Sequence, residues 1–291
     1  MKAQPVRAFD TWPSHGVDQE LQRIGRSAVA ALYDELALDP KPGLVSFIDS
    51  GSHPDMDART FMRSLFALRH SFPRMARLGA AHAAFGRLEQ EGIAAEARML
   101  QATAGINTHR GAIFSLGLLC ASAGALVARG SPLDPDALQR TLVTHWREAL
   151  ERRSRHDGAS HGNRAARRFG LRSAGAEAAL GFPVLFETTW PALRSALRQG
   201  LGPREARVQA LFETIAVLDD TNLAHRGGLA GLRHAQRAAC DYLSAGGASR
   251  PDGLVHARTL HADFVSRHLS PGGAADTLAA ACWVQRVCTG P

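Results

Sequence analysis

From Gly111 to Ala128 the chain runs GAIFSLGLLCASAGALVA, without one charged side chain. Such a stretch must lie away from water, and its length approaches the roughly 18 residues that carry a helix across a bilayer. Its content argues for burial in protein instead. Gly111, Ser115, Gly117, Ser122 and Gly124 keep it small and only weakly hydrophobic, and the chain has no second segment like it. Small residues let neighbouring helices approach closely, so the expectation is a helix buried at the centre of a soluble bundle, with no membrane partner.

The segments around it carry helical period. Phe61, Leu65, Leu68, Phe72 and Met75 recur at threes and fours, as do Leu138, Leu142, Trp146 and Leu150, and Val208, Leu211, Phe212, Ile215 and Leu218. Strand alternation is scarce, so the pattern predicts an all-α fold of about ten helices around the central one. Turn chemistry marks boundaries at Pro40-Lys41-Pro42-Gly43, at Ser131 to Pro135, at Gly202-Pro203 and at Ser270-Pro271-Gly272-Gly273. No long Ser or Gly linker divides the chain. The reading is a flexible segment over residues 1–22 and a single helical catalytic domain over 23–291.

Composition narrows the partners. The net charge of +7 attracts anions, while 6% aromatic content gives no stacking platform for nucleic acid, so small phosphorylated ligands are favoured. Cys120, Cys240, Cys282 and Cys288 form no CxxC pair, and the first residues lack the apolar core of a signal peptide. Both point to a reducing cytoplasm. Self-association stays open.

Six segments hold more polar, Gly and Pro residues than a helix connection needs: Glu35 to Val45, SHPDMD from Ser52, GINTHRGAIF from Gly105, SHG from Ser160, DDTNLAHRGG from Asp219 and SPGGAAD from Ser270. Asn107, Thr108, His109 and Arg110 crowd the entrance to the apolar helix, where free N–H groups and the positive dipole end face an anion; capping and a satisfied buried histidine are the bland alternative. Asp55 and Asp57 lie at a helix start, suited either to capping or, with a metal between them, to phosphate binding. Lys41, fixed between two prolines, suits a phosphate as a point charge, and Glu35 stands just before it as either a solvated or a functional acid. No GxxxxGK[ST] loop is present.

In this order, and spread from about Arg23 to Ala281, these segments resemble the triphosphoribosyl-dephospho-coenzyme A synthase family. Ser46-Phe47 and DSGSHPDMD resemble its malonate decarboxylase branch more than its citrate lyase branch, in which an Asp is expected at position 46. The resemblance implies a pentosyl transfer. ATP gives up adenine, the 2′-hydroxyl of 3′-dephospho-CoA receives the triphosphoribosyl group, Mg²⁺ assists, and the product is the prosthetic-group precursor for an acyl-carrier subunit. Displacing a base from C1′ needs a carboxylate for the acceptor proton or the sugar cation, a donor for the base and cations for the phosphates.

Under that resemblance the catalytic acids are drawn from Glu35, Asp57, Asp220 and Glu177, and the metal ligands from Asp55, Asp57, Asp220 and Asp276. Substrate contacts fall to Lys41, His53, Asn107, Thr108, His109, Arg110, Ser160, His161, Asn222, Arg226, Ser270, Gly272 and Gly273. RSAGAEAALGFP departs from the family pattern, with Arg172 displaced and Ala174 and Ala176 intervening. A nucleotide N-glycoside hydrolase would use the same acids with water as acceptor. A non-catalytic nucleotide-binding or basic nucleic-acid-binding helical protein is the alternative of another class.

Overall fold

The computed structural model describes residues 15–156 and 161–289. The helices run α1 (His15–Leu36), α2 (Ala58–Leu68), α3 (Ser71–Ala80), α4 (Phe85–Ala102), α5 (Arg110–Ala128), α6 (Pro135–His156), α7 (His161–Phe169) and α8 (Ala174–Ala179). A π-helical turn (Val184–Thr189) leads to α9 (Trp190–Arg198), α10 (Pro203–Val217) and α11 (Thr221–Ser244). A 3-10 turn (Gly247–Ser249) then precedes α12 (Gly253–Ser266) and α13 (Gly272–Cys288). No strand occurs among the described residues, as the periodicity predicts. The helices beyond the ten expected include α7, α8 and α9, of 9, 6 and 9 residues, too short to display a repeat.

The uncharged stretch is α5, and α1, α3, α4, α6 and α13 all pack against it. It is the one described helix long and apolar enough to cross a membrane, and 72% of that window is buried inside the protein. The glycines explain how. A Cβ on Gly79 of α3 would lie 1.8 Å from Ala121 O, and one on Gly124 of α5 would lie 1.9 Å from Ala76 O. The two helices therefore touch backbone to backbone, which no larger residue permits. Helix α1 starts within the segment expected to be flexible. Leu21 is fully buried and Trp283 Nε1 donates to Ile24 O at 3.1 Å, so packing against α13 orders this helix ahead of residue 23.

Two backbone features bring distant segments together. Gly43 has φ +64°, and its Cβ position is 2.0 Å from Leu269 O, so the Pro-Lys-Pro-Gly turn lies directly on the approach to α13. Ser52 Oγ fastens the same loop by donating to Leu269 O at 2.6 Å. Within α11, Gly228 takes φ 62°, ψ −167°, a conformation essentially reserved for glycine, and kinks the helix after its first turns.

Gly124→Ala should cost about 3 kcal/mol, because the new methyl meets backbone. Gly86→Ala in α4, with nothing within 4 Å of its Cβ position, should be neutral or stabilising. Urea midpoints of the two variants check the contrast.

Candidate active site

Three helix N-termini, those of α5, α11 and α13, meet the C-terminal end of α1 around a cavity of about 500 Å³. Two buried acids hold them there. Asp220 is the N-cap of α11; its Oδ1 accepts from Asn222 N at 2.8 Å and Leu223 N at 3.3 Å, while its Oδ2 accepts from Ala274 N, in the first turn of α13, at 3.0 Å. One carboxylate thereby caps two helices. Asp276, one turn into α13, reaches α5 and accepts from Ala112 N. A Cβ on Gly111 would stand 2.0 Å from Asp276 Oδ2, so glycine is required at that contact.

Burial sets the electrostatics of both acids. It raises the Asp220 pKa, against the lowering effect of the amides of Ala274, Asn222, Leu223 and Gly273. Asp276 lies well above the ordinary carboxylate range, through burial first and then the charges of Glu35 and Asp220. Part of Asp276 faces the cavity, where Glu35 stands beside it on the wall. Glu35 is 5% exposed and Lys41 1% exposed; Lys41 Nζ lies 2.6 Å from both Glu35 Oε1 and Glu35 O. Burial lowers the Lys41 pKa and Glu35 opposes it. The expectation of Lys41 as a phosphate contact is therefore corrected: its charge is spent on Glu35, behind the cavity wall.

The rim is equally ordered. Arg226 Nη2 donates to His53 Nδ1 at 2.9 Å, so the neutral imidazole carries its proton on Nε2, which donates to Ser270 Oγ at 2.8 Å. Burial, followed by the Arg226 charge, pushes the His53 pKa down to about 4. Arg226 Nη1 also donates to Ser52 O at 3.1 Å. On the opposite side, His109 is 3% exposed, with Nδ1 2.6 Å from Ser64 Oγ and Phe61 edge-on at 4.9 Å. Burial, with a smaller push from Lys41, takes its pKa down to about 3.

Of the residues expected at the site, Glu35, His53, Asn107, Thr108, His109, Arg110, Asn222, Arg226, Ser270, Gly272, Gly273 and Asp276 line the cavity. Others have structural work. Asp57 is the exposed N-cap of α2, its Oδ1 accepting from Thr60 N and Thr60 Oγ1 at 2.8 Å each, and it stands outside the cavity lining. Asp220, likewise expected as a catalytic acid and metal ligand, spends both oxygens on backbone amides. Glu177 accepts from Val184 N at 2.7 Å and Arg172 Nη1 at 2.9 Å, tying α8 to the π-helical turn away from the cavity. Asp55 sits outside the cavity lining, its side chain 59% exposed and 4.0 Å from His53 Nδ1. Asn107 Oδ1 accepts from Arg110 N at 3.1 Å, and Arg110 Nε donates to Glu96 Oε1 at 2.6 Å, so these two combine local bonding with a place on the wall.

Ser160 lies outside the described residues, and so does the side chain of His161. Their neighbour Gly162 lines the cavity, its Cβ position 2.9 Å from Thr221 Oγ1. Sequence reasoning missed Ser64, Phe61, His225 and Arg153. Ser64 had a signal: a hydroxyl one turn from Thr60 on the α2 face that carries Phe61, Leu65 and Leu68. Arg153 donates to Glu89 Oε1 at 2.5 Å, with its guanidinium 5.8 Å from the Phe114 ring centroid. Its place in a run of arginines hid it.

A family model described as ATP:dephospho-CoA triphosphoribosyl transferase (CitG) matches residues 21–290. The chain belongs to this family. It is accordingly a pentosyltransferase, a triphosphoribosyl-dephospho-CoA synthase, with ATP and dephospho-CoA as its substrates. No solved structure matches the chain. The match covers α5, α11 and α13 together with the loop of Gly43, so all the converging ends belong to the transferase domain.

Lys41→Met leaves Glu35 buried and unpaired and should destabilise the transferase by about 3–5 kcal/mol. Asp220→Asn exchanges an acceptor for a donor facing an amide and should cost about 2 kcal/mol. Thermal denaturation reads both. For His53 the folded pKa, about 4, lies below its ordinary 6.5. The unfolded chain therefore binds a proton the folded one refuses, and stability falls as pH drops from 6.5 toward 4. His53→Gln should make that part of the stability profile less steep and leave the share of His109, whose pKa is also pushed down, to about 3.

Proposed function

We propose that Glu35 and Asp276 divide the chemistry of the triphosphoribosyl transfer between them. The observation that carries this is two carboxylates on one cavity lining, Glu35 bonded to Lys41 Nζ and Asp276 without a basic partner among the described residues. Lys41 grips Glu35 Oε1, fixing a negative end that faces the positive charge developing on the sugar at C1′. Asp276, its proton affinity raised by burial and by Glu35, is suited to take the proton of the acceptor 2′-hydroxyl. The N-terminal amides of α5, α11 and α13 and the guanidinium of Arg226 form the cationic side, which draws the triphosphate. His53 and Ser270 hold that guanidinium's neighbourhood rigid.

The donor set fits magnesium in one manner only. Among the described residues no three His, Cys, Asp or Glu side chains gather into a cage. The exposed Asp55 suits an ion held mainly by phosphate oxygens and water, which would neutralise phosphate charge. Asp220 spends both oxygens on backbone amides, and Asp57, which caps α2 through Oδ1, stands outside the cavity lining.

For the finer biology we propose the malonate decarboxylase branch, on Ser46-Phe47 and DSGSHPDMD. The product would then reach the acyl-carrier subunit of that decarboxylase through a separate transferase, in the cytoplasm. Cells lacking the gene should lose prosthetic-group loading of a malonate decarboxylase carrier and keep that of a citrate lyase carrier.

Adenine release from ATP, measured with and without dephospho-CoA, tests the transfer. Release should require the acceptor; equal release without it would make the protein a hydrolase. Asp276→Asn keeps the bond from Ala112 N and should lower kcat about 100-fold or more with little loss of stability. A protonated Asp276 cannot act as base, so kcat should rise with pH along a limb well above the ordinary carboxylate value of 3.8.

A further inference from the structure

The pair Ser64–His109 joins the reading above to the leaving base. Ser64 on α2 is fully buried, and its hydroxyl has one hydrogen-bond partner among the described residues, His109 Nδ1 at 2.6 Å. A buried hydroxyl that accepted from the ring would leave its own hydrogen with nowhere to go. Ser64 therefore donates to Nδ1, and the imidazole proton sits on Nε2. Among the described residues that Nε2 is buried and without a partner, as is the adjacent Thr108 Oγ1, while both residues line the cavity. An orphaned donor of this kind is costly in the free protein and finds its acceptor in a ligand.

Its surroundings select the acceptor. Phe61 lies edge-on to the His109 ring at 4.9 Å, and the cavity lining also includes Met75, Phe85, Leu88, Ile113 and Phe114. A flat heterocycle with a ring nitrogen suits it, and a phosphate does not. His109 is also two residues from Gly111, the residue pressed against Asp276. A group bonded directly to C1′ lies within reach of that position, whereas the pantetheine arm of the acceptor is many bonds from its 2′-hydroxyl.

We infer that Ser64 is a positioning residue that fixes the His109 tautomer, so that His109 Nε2–H donates to N3 or N7 of the adenine of ATP, the acceptors nearest C1′, and steadies the base as it departs. The inference rests on the transfer reading. In the step, the C1′–N9 bond breaks and its electron pair goes to the purine. The 2′-oxygen of the acceptor forms the new bond to C1′ and gives its proton to Asp276, which passes it to the departing purine, so adenine leaves neutral and Asp276 returns to its starting charge. His109 keeps its own proton throughout. Burial holds its pKa near 3, so the ring remains a neutral donor across the working range.

The test is calorimetric binding of ATP, 3-deaza-ATP and 7-deaza-ATP to the wild type and to Ser64→Ala, Ser64→Thr and His109→Ala. One analogue should bind the wild type about tenfold more weakly than ATP. That penalty should vanish in His109→Ala, shrink in Ser64→Ala and return in Ser64→Thr. If both analogues match ATP on the wild type, a comparison that needs no variant, the base contact is wrong. A penalty that persists in His109→Ala also overturns it. Adenine release by the wild type is followed alongside. Binding in the expected pattern without release would overturn the transfer reading and keep the base contact; release without any analogue penalty would do the reverse.

Discussion

Helix N-termini carry positive partial charge and unsatisfied amides, and three of them brought together repel one another unless acids are set between them. Asp220 and Asp276 supply those acids. Asp220 bonds α11 to α13, and Asp276, on α13, bonds onward to α5. This linkage turns the ends of remote helices into one cavity floor. It also leaves the remaining amides of those ends beside the cavity, an arrangement suited to an anion in the absence of a glycine-rich loop. The same burial that makes the linkage tight raises the proton affinity of Asp276, so one cause serves both the architecture and the chemistry.

Much of this was legible in the sequence. The buried central helix follows from the uncharged run at Gly111 to Ala128, and the convergence follows from polar and glycine residues gathered at helix ends. Individual acids were harder to read. Asp55, Asp57, Asp220 and Asp276 look alike along the chain, since an aspartate at a helix start is equally suited to a cap or a ligand. Asp57 and Asp220 separate from Asp276 only once their amide partners are seen. Lys41 illustrates the same gap: the prolines on either side fix its backbone, yet nothing local tells that its ammonium turns inward to Glu35. Ser64 and Arg153 became visible only through contacts with residues 45 and 64 positions away.

The two sides of the cavity differ in their polar economy. Around Arg226, His53 and Ser270 the side chains bond to one another and to the backbone, giving a preset rim. Around Thr108 and His109 polar atoms stand without partners among the described residues. A rim that is satisfied in advance favours fast entry of charge, and a wall with an unmet donor favours discrimination among bases.

The seam between α3 and α5, where Gly79 and Gly124 bring main chain against main chain, has a mechanical meaning for the enzyme. Contacts that close have no slack, so the mount beneath Gly111 works like an anvil, and sliding α5 along α3 by even an ångström would drive the carbonyls of Ala76 and Ala121 off their glycines and into bulkier neighbours. Room for two large nucleotides to enter and an altered pair to depart therefore has to come from the walls that face this mount, not from the mount itself.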